Sequence, residues 1–309
     1  MKLSIVTPCF NEEDNVIALC EAIRDVVATI EGVDDYEQII IDNASTDRTV
    51  AKAKEICAVD RHVKLIVNTR NFGHIRSPYH ALLQATGDAV VGMASDFQDP
   101  PSMLPALVAR WRDGAKVVMC VKNSSEEMSL MFAVRSAYYR TVRRLSDVEL
   151  TENFTGFGLY DKEVIDHLRH IGEPYPYCRG LVAELGYPPA KIGFDQPRRA
   201  RGITKNNFYT LYDLAMLGIT NHSKVPLRIA TMTGFVLGGL SLLVAVGYLV
   251  AKLVFWDRFE FGLAPLIISL FFFSSVQLFF IGIVGEYVGS IHTQVHRRPL
   301  VVEKERINF

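Results

Sequence analysis

Residues Lys2–Asp14, KLSIVTPCFNEED, place a short apolar run directly before a polar turn. The run at Lys2–Thr7 predicts a buried strand, and apolar residues at helical spacing follow from Asn15 to Ile30. A strand, a turn and a helix in this order are typical of the start of an α/β domain. The strand is not followed by Gly-x-Gly-x-x-Gly, so the fingerprint of a dinucleotide-binding domain is absent.

The same order of strand, polar turn and helix recurs downstream. Further strands are predicted at Glu37–Ile41, Val63–Val67, Asp88–Ala94 and Lys116–Val121. Strands that alternate with helices predict a mostly parallel sheet with helices on both faces. Ligands of such sheets bind at the carboxyl ends of the strands. The polar turns fall at those ends: Pro8–Asn15, Asp42–Asp47, Arg70–His74 and Asp96–Pro101.

The composition of the 309 residues excludes several classes of protein. With 49% hydrophobic and 22% charged residues, the chain is too apolar to be disordered. The net charge of −1, from 33 basic and 34 acidic residues, disfavours a globally basic nucleic-acid binder. The five cysteines are far apart and include no Cys-x-x-Cys, which suggests neither a disulfide framework nor a zinc site and fits a reducing compartment.

Two long segments near the C-terminus, Ile229–Ala251 and Phe261–Gly285, contain no charged residue. Each exceeds the roughly 20 residues that cross a bilayer as a helix. Buried core helices are the alternative, but core helices of this length rarely lack charge on every face. The short link Lys252–Glu260 joins the two segments, so we predict a transmembrane hairpin.

The charges that flank the two segments predict the orientation of the hairpin. Basic residues precede and follow it: Lys224, Arg228, Arg297, Arg298, Lys304 and Arg306. The link contributes only Lys252 and Arg258, so the positive-inside rule places both termini in the cytoplasm. The first residues do not resemble a signal peptide. We therefore predict a cytoplasmic domain at 1–225, the hairpin within 226–290 and a cytoplasmic tail at 291–309.

Oxygen-bearing side chains follow the fourth predicted strand. Asp96, Gln98 and Asp99 lie on one tight turn, and Pro100 begins a helix. Carboxylate and amide oxygens suit a hard divalent ion that is shared with a phosphate. Asp99 alone is explained equally well as a helix N-cap, whereas Asp96 together with Gln98 favours a metal site.

The turn after the second strand carries Asp42, Asn43 and Ser45. Their side chains are able to hydrogen-bond a nucleoside. They equally suit an Asx-turn that caps the following helix, and taken alone the turn is better explained in this second way.

Four motifs at these turns resemble family 2 glycosyltransferases of the GT-A fold. The motifs are Val6–Glu13 (VTPCFNEE), Ile41–Asp47 (IDNASTD), Arg70–Gly73 (RNFG) and Asp96–Pro101 (DFQDPP). Within that family the chain is most similar to the polyprenyl-phosphate glycosyltransferases, such as dolichyl-phosphate mannose synthase and bactoprenol glucosyltransferases. The resemblance implies a Rossmann-like, mostly parallel sheet with flanking helices, followed by a two-helix transmembrane hairpin at about 229–251 and 261–285.

The resemblance implies a membrane-anchored, inverting enzyme of the bacterial inner membrane, active in cell-envelope glycan modification. It would move one sugar from a nucleotide-sugar, UDP-linked in most bacterial relatives, to a polyprenyl phosphate such as undecaprenyl phosphate. The nucleotide-binding residues implied are Pro8, Phe10, Glu12, Asp42, Asn43 and Arg70, and Asp96 and Gln98 would bind Mg²⁺ or Mn²⁺. Candidates for the acceptor phosphate or the departing diphosphate are Lys122, Arg135, Arg199 and Lys205. The resemblance implies no nucleic-acid partner and allows a homo-oligomer.

The charge pattern before the hairpin agrees with a phosphate-bearing acceptor. Residues 196–228 carry one acid, Asp213, and these basic residues: Arg198, Arg199, Arg201, Lys205, Lys224 and Arg228. Such a strip attracts anionic lipid head groups. Contact with bulk lipid alone is the other explanation of the strip.

Several positions depart from the pattern of the family. Ala94 and Asn43 stand where relatives commonly have aspartate, and Gly156 aligns with an aspartate that is a proposed base. Glu152 is a candidate substitute, although a phosphate acceptor is largely a dianion at pH 7 and needs no base. The segment His74–His80 also departs, which can reshape the sugar pocket, although His80 is explained equally as an ordinary helix residue.

Two alternatives remain open from the sequence. A processive polysaccharide synthase usually carries a Gln-x-x-Arg-Trp motif near the membrane, but the only Arg-Trp pair here, Arg110-Trp111, lies in an early helix. A catalytically impaired relative that serves as a binding subunit of a membrane assembly is the other alternative. Ala94 and Gly156 motivate it.

Overall fold

The computed structural model describes residues 1–123, 151, 153–197, 216, 220, 223–255, 263–296 and 298–309. Eight strands form one sheet in the order β7-β5-β6-β4-β1-β2-β3-β8. The strands are β1 Lys2–Cys9, β2 Asp35–Asp42, β3 Val63–Asn68, β4 Ala89–Gly92, β5 Val117–Lys122, β6 Phe154–Asp161, β7 Ala190–Phe194 and β8 Glu303–Ile307. The helices are α1 Val16–Val27, α2 Thr49–Val59, α3 Gly73–Gln84, α4 Leu104–Arg112, α5 Lys162–Ile171, α6 Cys178–Glu184, α7 Val225–Val254 and α8 Leu263–Val295.

The middle of the sheet is parallel, as the alternation of strands and helices predicts. Strand β1 lies between β2 and β4, and β3 lies beyond β2. The chain therefore moves outward on one side of β1 and returns to its other side, which opens a crevice at the carboxyl ends of β1 and β4. Three pairings are antiparallel, because β6 runs against both β4 and β5, and β8 runs against β3.

Helices cover both faces of the sheet, which explains the apolar runs within its central strands. Ile39, Ile40 and Ile41 follow one another in β2, and all three are fully buried. One face packs against α1 and α4, and the other packs against α3 and α5. Burial on both faces is the physical reason for continuous apolar runs in parallel strands.

A buried carboxylate ties three strands of the sheet and the turn before β4 together. Glu37 is 1% exposed and lies in β2. It accepts hydrogen bonds from Ser4 Oγ at 2.6 Å, Lys64 Nζ at 2.7 Å and the Thr86 backbone at 2.7 Å. Burial opposes its ionisation, but these hydrogen bonds outweigh burial and lower the pKa of Glu37 to about 2. Lys2 adds a second cation at 3.2 Å.

The last residues of the chain complete the sheet that the first residues begin. Strand β8 pairs with β3, with Leu65 opposite Ile307 and Ile66 opposite Arg306. Beyond the strand, Asn308 Nδ2 donates to the Val63 carbonyl at 2.8 Å. The tail predicted at 291–309 therefore contributes a strand to the cytoplasmic domain predicted at 1–225, and the three-part division itself stays a prediction.

Helices α7 and α8 are long, apolar and uncovered. Val225–Tyr248 and Ile268–Val295 are each long and apolar enough to cross a membrane, and neither stretch is buried. Phe235 is 77% exposed and Leu243 is 71% exposed, unlike residues in the core helices of a soluble protein. Tyr287 Oη donates to the Ser223 carbonyl at 2.6 Å, which links α8 to the residues before α7.

Glu37→Gln is expected to lower the free energy of unfolding by about 3 kcal/mol at neutral pH, because Lys2 and Lys64 lose their buried counter-charge. The pKa of Glu37 is lower in the folded protein than its usual 4.5. Its stabilising contribution is therefore complete above pH 4.5 and is lost as the pH falls towards 2. Thermal unfolding of the detergent-purified chain between pH 7 and pH 3 measures both effects.

The matched control is Glu21→Gln, which alters an exposed residue of α1 and should leave the melting temperature unchanged. An unchanged melting temperature at pH 7 in Glu37→Gln would contradict the role given to this network.

Candidate active site

The turns after β1 and β2 are held against each other. Asn11 N donates to Ser45 Oγ at 2.8 Å, and Thr46 N donates to Asn11 Oδ1 at 2.8 Å. Asn11 and Ala44 adopt left-handed backbone conformations, with φ of 57° and 62°. Strained turns of this kind cluster at functional sites. The arrangement brings the predicted nucleotide residues of both turns to one edge of the sheet: Pro8, Phe10, Glu12 and Asp42.

Asp42 has the chemistry of a nucleoside contact. It ends β2 and is fully buried. Its Oδ2 accepts a hydrogen bond from Ser45 N at 2.9 Å, as in the predicted Asx-turn. Its Oδ1 is buried and has no hydrogen-bond partner among the described residues. Burial raises the pKa of Asp42. A ligand N–H or hydroxyl would satisfy an oxygen that the protein leaves unpaired.

Asn43 uses all of its side-chain hydrogen-bonding capacity to hold the turn after β3. Its Nδ2 donates to Asn71 Oδ1 at 2.9 Å and to the Gly73 carbonyl at 3.1 Å. Its Oδ1 accepts from Phe72 N at 2.8 Å and from Asn68 Nδ2 at 3.1 Å. Asn43 therefore positions the turn that carries Arg70–Gly73, and a direct contact with nucleotide stays a prediction.

The turn after β4 gathers acidic groups against the end of β1. Ser95 Oγ donates to the Pro8 carbonyl at 2.9 Å, and Gln98 N donates to Asp96 Oδ1 at 3.1 Å. Asp99 accepts from Ala94 N at 2.8 Å and makes no capping hydrogen bond to the following helix, so the N-cap explanation of Asp99 was wrong. Burial, and after it the charge of Asp96, raises the pKa of Asp99 to about 6.

Asp96 and Gln98 fit a magnesium or manganese ion that is completed by substrate. The described residues contain no group of three histidine, cysteine or acidic side chains that could hold a metal alone. Mg²⁺ in nucleotide-dependent enzymes is typically held by one or two carboxylates together with phosphate oxygens. Asp96 is 9% exposed, on a turn whose Phe97 has a left-handed φ of 62°. The donor set therefore suits a metal that arrives with a diphosphate.

A cavity of about 360 Å³ opens beside this turn, at the carboxyl ends of β1 and β4 and the amino end of the antiparallel β6. Its polar wall includes Asp99, His74 and Arg179, and Arg179 Nη1 donates to the Phe154 carbonyl at 2.9 Å. Ala94 and Gly156 line the same cavity. Two of the three positions that lack an acid of relatives therefore line the same cavity. Arg179, in α6, lies outside the four polar turns, so its place in the cavity appears only in the folded chain.

The structure describes only one of the four residues that we predict to bind the acceptor phosphate. Lys122 ends β5, and its charge partly offsets the rise in the pKa of Asp99 that burial causes. Arg135, Glu152, Arg199 and Lys205 lie outside the described residues. Arg70 is exposed, with its guanidinium carbon 4.0 Å from the centroid of the Phe72 ring.

Helix α3 separates the cavity from the C-terminal tail. His74, Ile75 and Pro78 lie on the side of α3 that lines the cavity. A second stripe, at positions 76, 80 and 84, faces the tail through three contacts. Arg76 Nη2 donates to the Pro299 carbonyl, His80 Nε2 lies 2.7 Å from Glu303 Oε1, and Arg306 Nη2 donates to Gln84 Oε1 at 2.9 Å. His80 is thus a helix residue that binds the tail, and of the two histidines His74 alone lines the cavity.

Comparisons with known proteins agree with this site. The family model "Glycosyl transferase family 2" matches residues 4–169, which hold all four turns. The chain belongs to glycosyl transferase family 2. The predicted GT-A-like fold class, with two apolar C-terminal helices, is thereby confirmed, as is glycosyltransferase activity.

Two relatives align with this chain over nearly their whole length, and one solved structure aligns over a smaller part. An uncharacterized glycosyltransferase of Synechocystis sp. is 31% identical over 301 residues, which are 97% of this chain and 94% of that protein. The bactoprenol glucosyl transferase of Shigella phage SfII is 30% identical over 308 residues, 99% of this chain and 98% of that protein. A crystal structure of glucosyl-3-phosphoglycerate synthase from Mycobacterium tuberculosis with Mn²⁺ and UDP shows a TM-score of 0.46, 18% identity and coverage of 71% of this chain and 76% of that chain.

Glu303→Ala is expected to loosen α3, because the helix loses the carboxylate that holds His80. Amide hydrogen exchange measured by mass spectrometry should become about tenfold faster in peptides from Gly73–Gln84, as expected when a hydrogen bond to a charged group of about 1.5 kcal/mol is lost.

Glu305→Ala is the matched control on the same strand. Glu305 pairs with Lys54 of α2 at 2.5 Å, so its removal should affect exchange in α2 and not in α3. Equal exchange in α3 for both variants would contradict the specific link between Glu303 and α3.

Proposed function

We propose that this glycosyltransferase moves one sugar from a UDP-sugar to a polyprenyl phosphate in the membrane that anchors it. The observation that carries the proposal is the near full-length match to proteins named bactoprenol glucosyl transferase. That match includes the two apolar helices as well as the catalytic domain. A lipid-linked acceptor explains why the enzyme is anchored, because the anchor keeps the active site at the membrane surface where the acceptor phosphate lies.

The donor is held in this proposal by the turns after β1, β2 and β3. Asp42 supplies the unpaired carboxylate oxygen for the base or the ribose. Pro8, Phe10 and Glu12 form the neighbouring wall, and Arg70 approaches from the turn that Asn43 holds. The sugar then extends towards the cavity beside Asp99.

Asp96 and Gln98 are the residues that would hold Mg²⁺ or Mn²⁺ together with the diphosphate. A bound divalent ion supplies neutralisation of the charge that develops on the departing nucleoside diphosphate. The chain contributes a rigid turn for this purpose, since Gln98 N is hydrogen-bonded to Asp96 and Ser95 is hydrogen-bonded to Pro8.

The reaction requires no protein base. An oxygen of the acceptor phosphate forms a bond to the anomeric carbon, and the bond from that carbon to the diphosphate oxygen breaks, so that the configuration inverts. A phosphate monoester is largely a dianion at pH 7 and is already nucleophilic. Gly156, where relatives have an acid, leaves space in the cavity without removing a necessary group. Positioning and charge neutralisation then supply most of the rate.

The acceptor phosphate is assigned to Lys122, Arg135, Arg199 and Lys205. This assignment rests on their motif positions and on the proximity of Lys122 to Asp99. We place the catalytic domain on the cytoplasmic side of a bacterial inner membrane, where nucleotide-sugars are available. The basic residues that flank the hairpin support this orientation.

The test is transfer of a radiolabelled sugar from a panel of UDP-sugars to undecaprenyl phosphate by the purified full-length protein. Product that extracts into organic solvent is expected with at least one donor. EDTA or Asp96→Ala should reduce the rate by at least a hundredfold, since the charge on the leaving group is no longer neutralised. Asp113→Ala, which alters an exposed acid after α4, should retain full activity.

Full activity in EDTA would refute the metal assignment. Absence of product with every donor, from protein that still binds UDP, would favour the impaired binding subunit over the enzyme.

A further inference from the structure

Three arginines from separate parts of the chain lie close together, and two of them contact the ring of Phe72. The guanidinium carbon of Arg70 lies 4.0 Å from the centroid of Phe72, and that of Arg76 lies 5.5 Å from the same centroid. Arg76 also donates to the carbonyl of Pro299, which brings the adjacent Arg298 to this place. The turn after β3, helix α3 and the segment after α8 thus contribute one guanidinium each.

The cluster has no counter-charge in the described part of the chain. Some arginines of the described residues pair with acids, as Arg169 does with Asp166 and Arg306 with Glu303. No such ion pair forms at Arg70, Arg76 or Arg298 within the described residues. In addition, the Nε of Arg76 is buried and has no hydrogen-bond partner in the part of the chain that the structure describes.

The three charges affect one another. Burial, and after it the charges of Arg70 and Arg298, lowers the pKa of Arg76. An arginine stays protonated under such conditions, so the repulsion persists in the folded protein. A bound anion would remove this repulsion and would also satisfy the buried Nε. Guanidinium groups match the geometry of phosphate oxygens, to which they donate in pairs.

We propose that Arg70, Arg76 and Arg298 form a binding site for a phosphate group, separate from the turn that carries Asp96. The separation follows from the sheet order, because β1 and β2 lie between β4 and β3. Three strand spacings amount to about 14 Å. The positive-inside rule explains Arg298, which follows the hairpin, but it does not explain Arg70 or Arg76.

A phosphate group bound at this site would connect the C-terminal tail to helix α3, which lines the cavity. Arg298 begins the segment that runs into β8, and Arg76 belongs to the helix that lines the cavity. A phosphate bound by both would hold the tail against α3. The phosphate group has two possible sources, a membrane lipid or a soluble phosphate compound, and the recognition chemistry is the same for both.

The test is calorimetric titration of the full-length protein in detergent with pyrophosphate, in EDTA so that the metal-dependent site does not contribute. Arg76→Gln and Arg298→Gln should each weaken binding by about five- to tenfold, as expected for loss of one charge-assisted contact. Arg61→Gln alters an exposed arginine before β3 and should bind as the parent does. Arg76→Lys keeps the charge but loses the paired N–H donors of the guanidinium group, so its affinity for pyrophosphate should lie between those of the parent and Arg76→Gln.

Competition identifies the source of the phosphate. Displacement of pyrophosphate by dioctanoyl phosphatidic acid, and not by dioctanoyl phosphatidylcholine or UDP, supports the site and assigns it to a lipid. Displacement by UDP would assign the cluster to the donor site, which Arg70 also approaches, and would overturn the proposal. Pyrophosphate binding that neither the lipids nor UDP displace supports the site and assigns it to another soluble phosphate compound. Unchanged pyrophosphate affinity in Arg298→Gln, which leaves the bond from Arg76 to Pro299 intact, would overturn the proposal. These readouts measure binding, so they do not depend on sugar transfer.

Discussion

The pairing of β8 with β3 is the interaction on which the organisation of this protein depends. It joins the end of the chain to the sheet that the beginning of the chain forms. The chain therefore leaves the catalytic domain at α7 and returns to it after α8. A chain that crosses a membrane twice satisfies this constraint, whereas a chain that crosses once does not. The backbone hydrogen bonds between β8 and β3 also keep the tail at the edge of the sheet, because breaking each of them costs free energy.

The same pairing gives the tail an influence on the active site. The tail holds one side of α3 through His80 and Gln84, and the other side of that helix lines the cavity. On the opposite side of the crevice, the turns after β1, β2 and β4 are fixed by hydrogen bonds from one to the next. The site is therefore built from rigid turns and from one helix whose position is set by the C-terminal tail.

The sequence predicts the central strands and the four polar turns because physical patterns there are strong. Strands buried on both faces need apolar runs, and Ile39–Ile41 of β2 and Leu65–Val67 of β3 are such runs. The strand β8 is less visible, because its residues EKERI lie at a solvent-facing edge and read as a charged tail. The strand β6 is hard to predict from the sequence because it contains two glycines, Gly156 and Gly158. At Gly158 a Cβ would lie 2.5 Å from the Val118 carbonyl oxygen, so packing demands a residue with low strand propensity.

The site was predictable in its residue types and less so in their roles. Asp42 and Asp96 stand at strand ends, where chemistry is expected from topology alone. Asn43 looks the same in sequence, but four hydrogen bonds to distant residues assign its side chain to the turn after β3. Arg76 and Arg298 lie far apart in sequence, and the contact between Arg76 and Pro299 that unites them appears only in the folded chain.

The location of the C-terminus relative to the membrane tests this account most directly. One topology reporter fused after Phe309 and another inserted at Asp257, between the two apolar helices, should report opposite sides in cells. The account predicts a cytoplasmic signal after Phe309 and an external signal at Asp257, because β8 must reach β3 on the side of the catalytic domain. An external signal after Phe309 would contradict it, since β8 would then be separated from β3 by the bilayer.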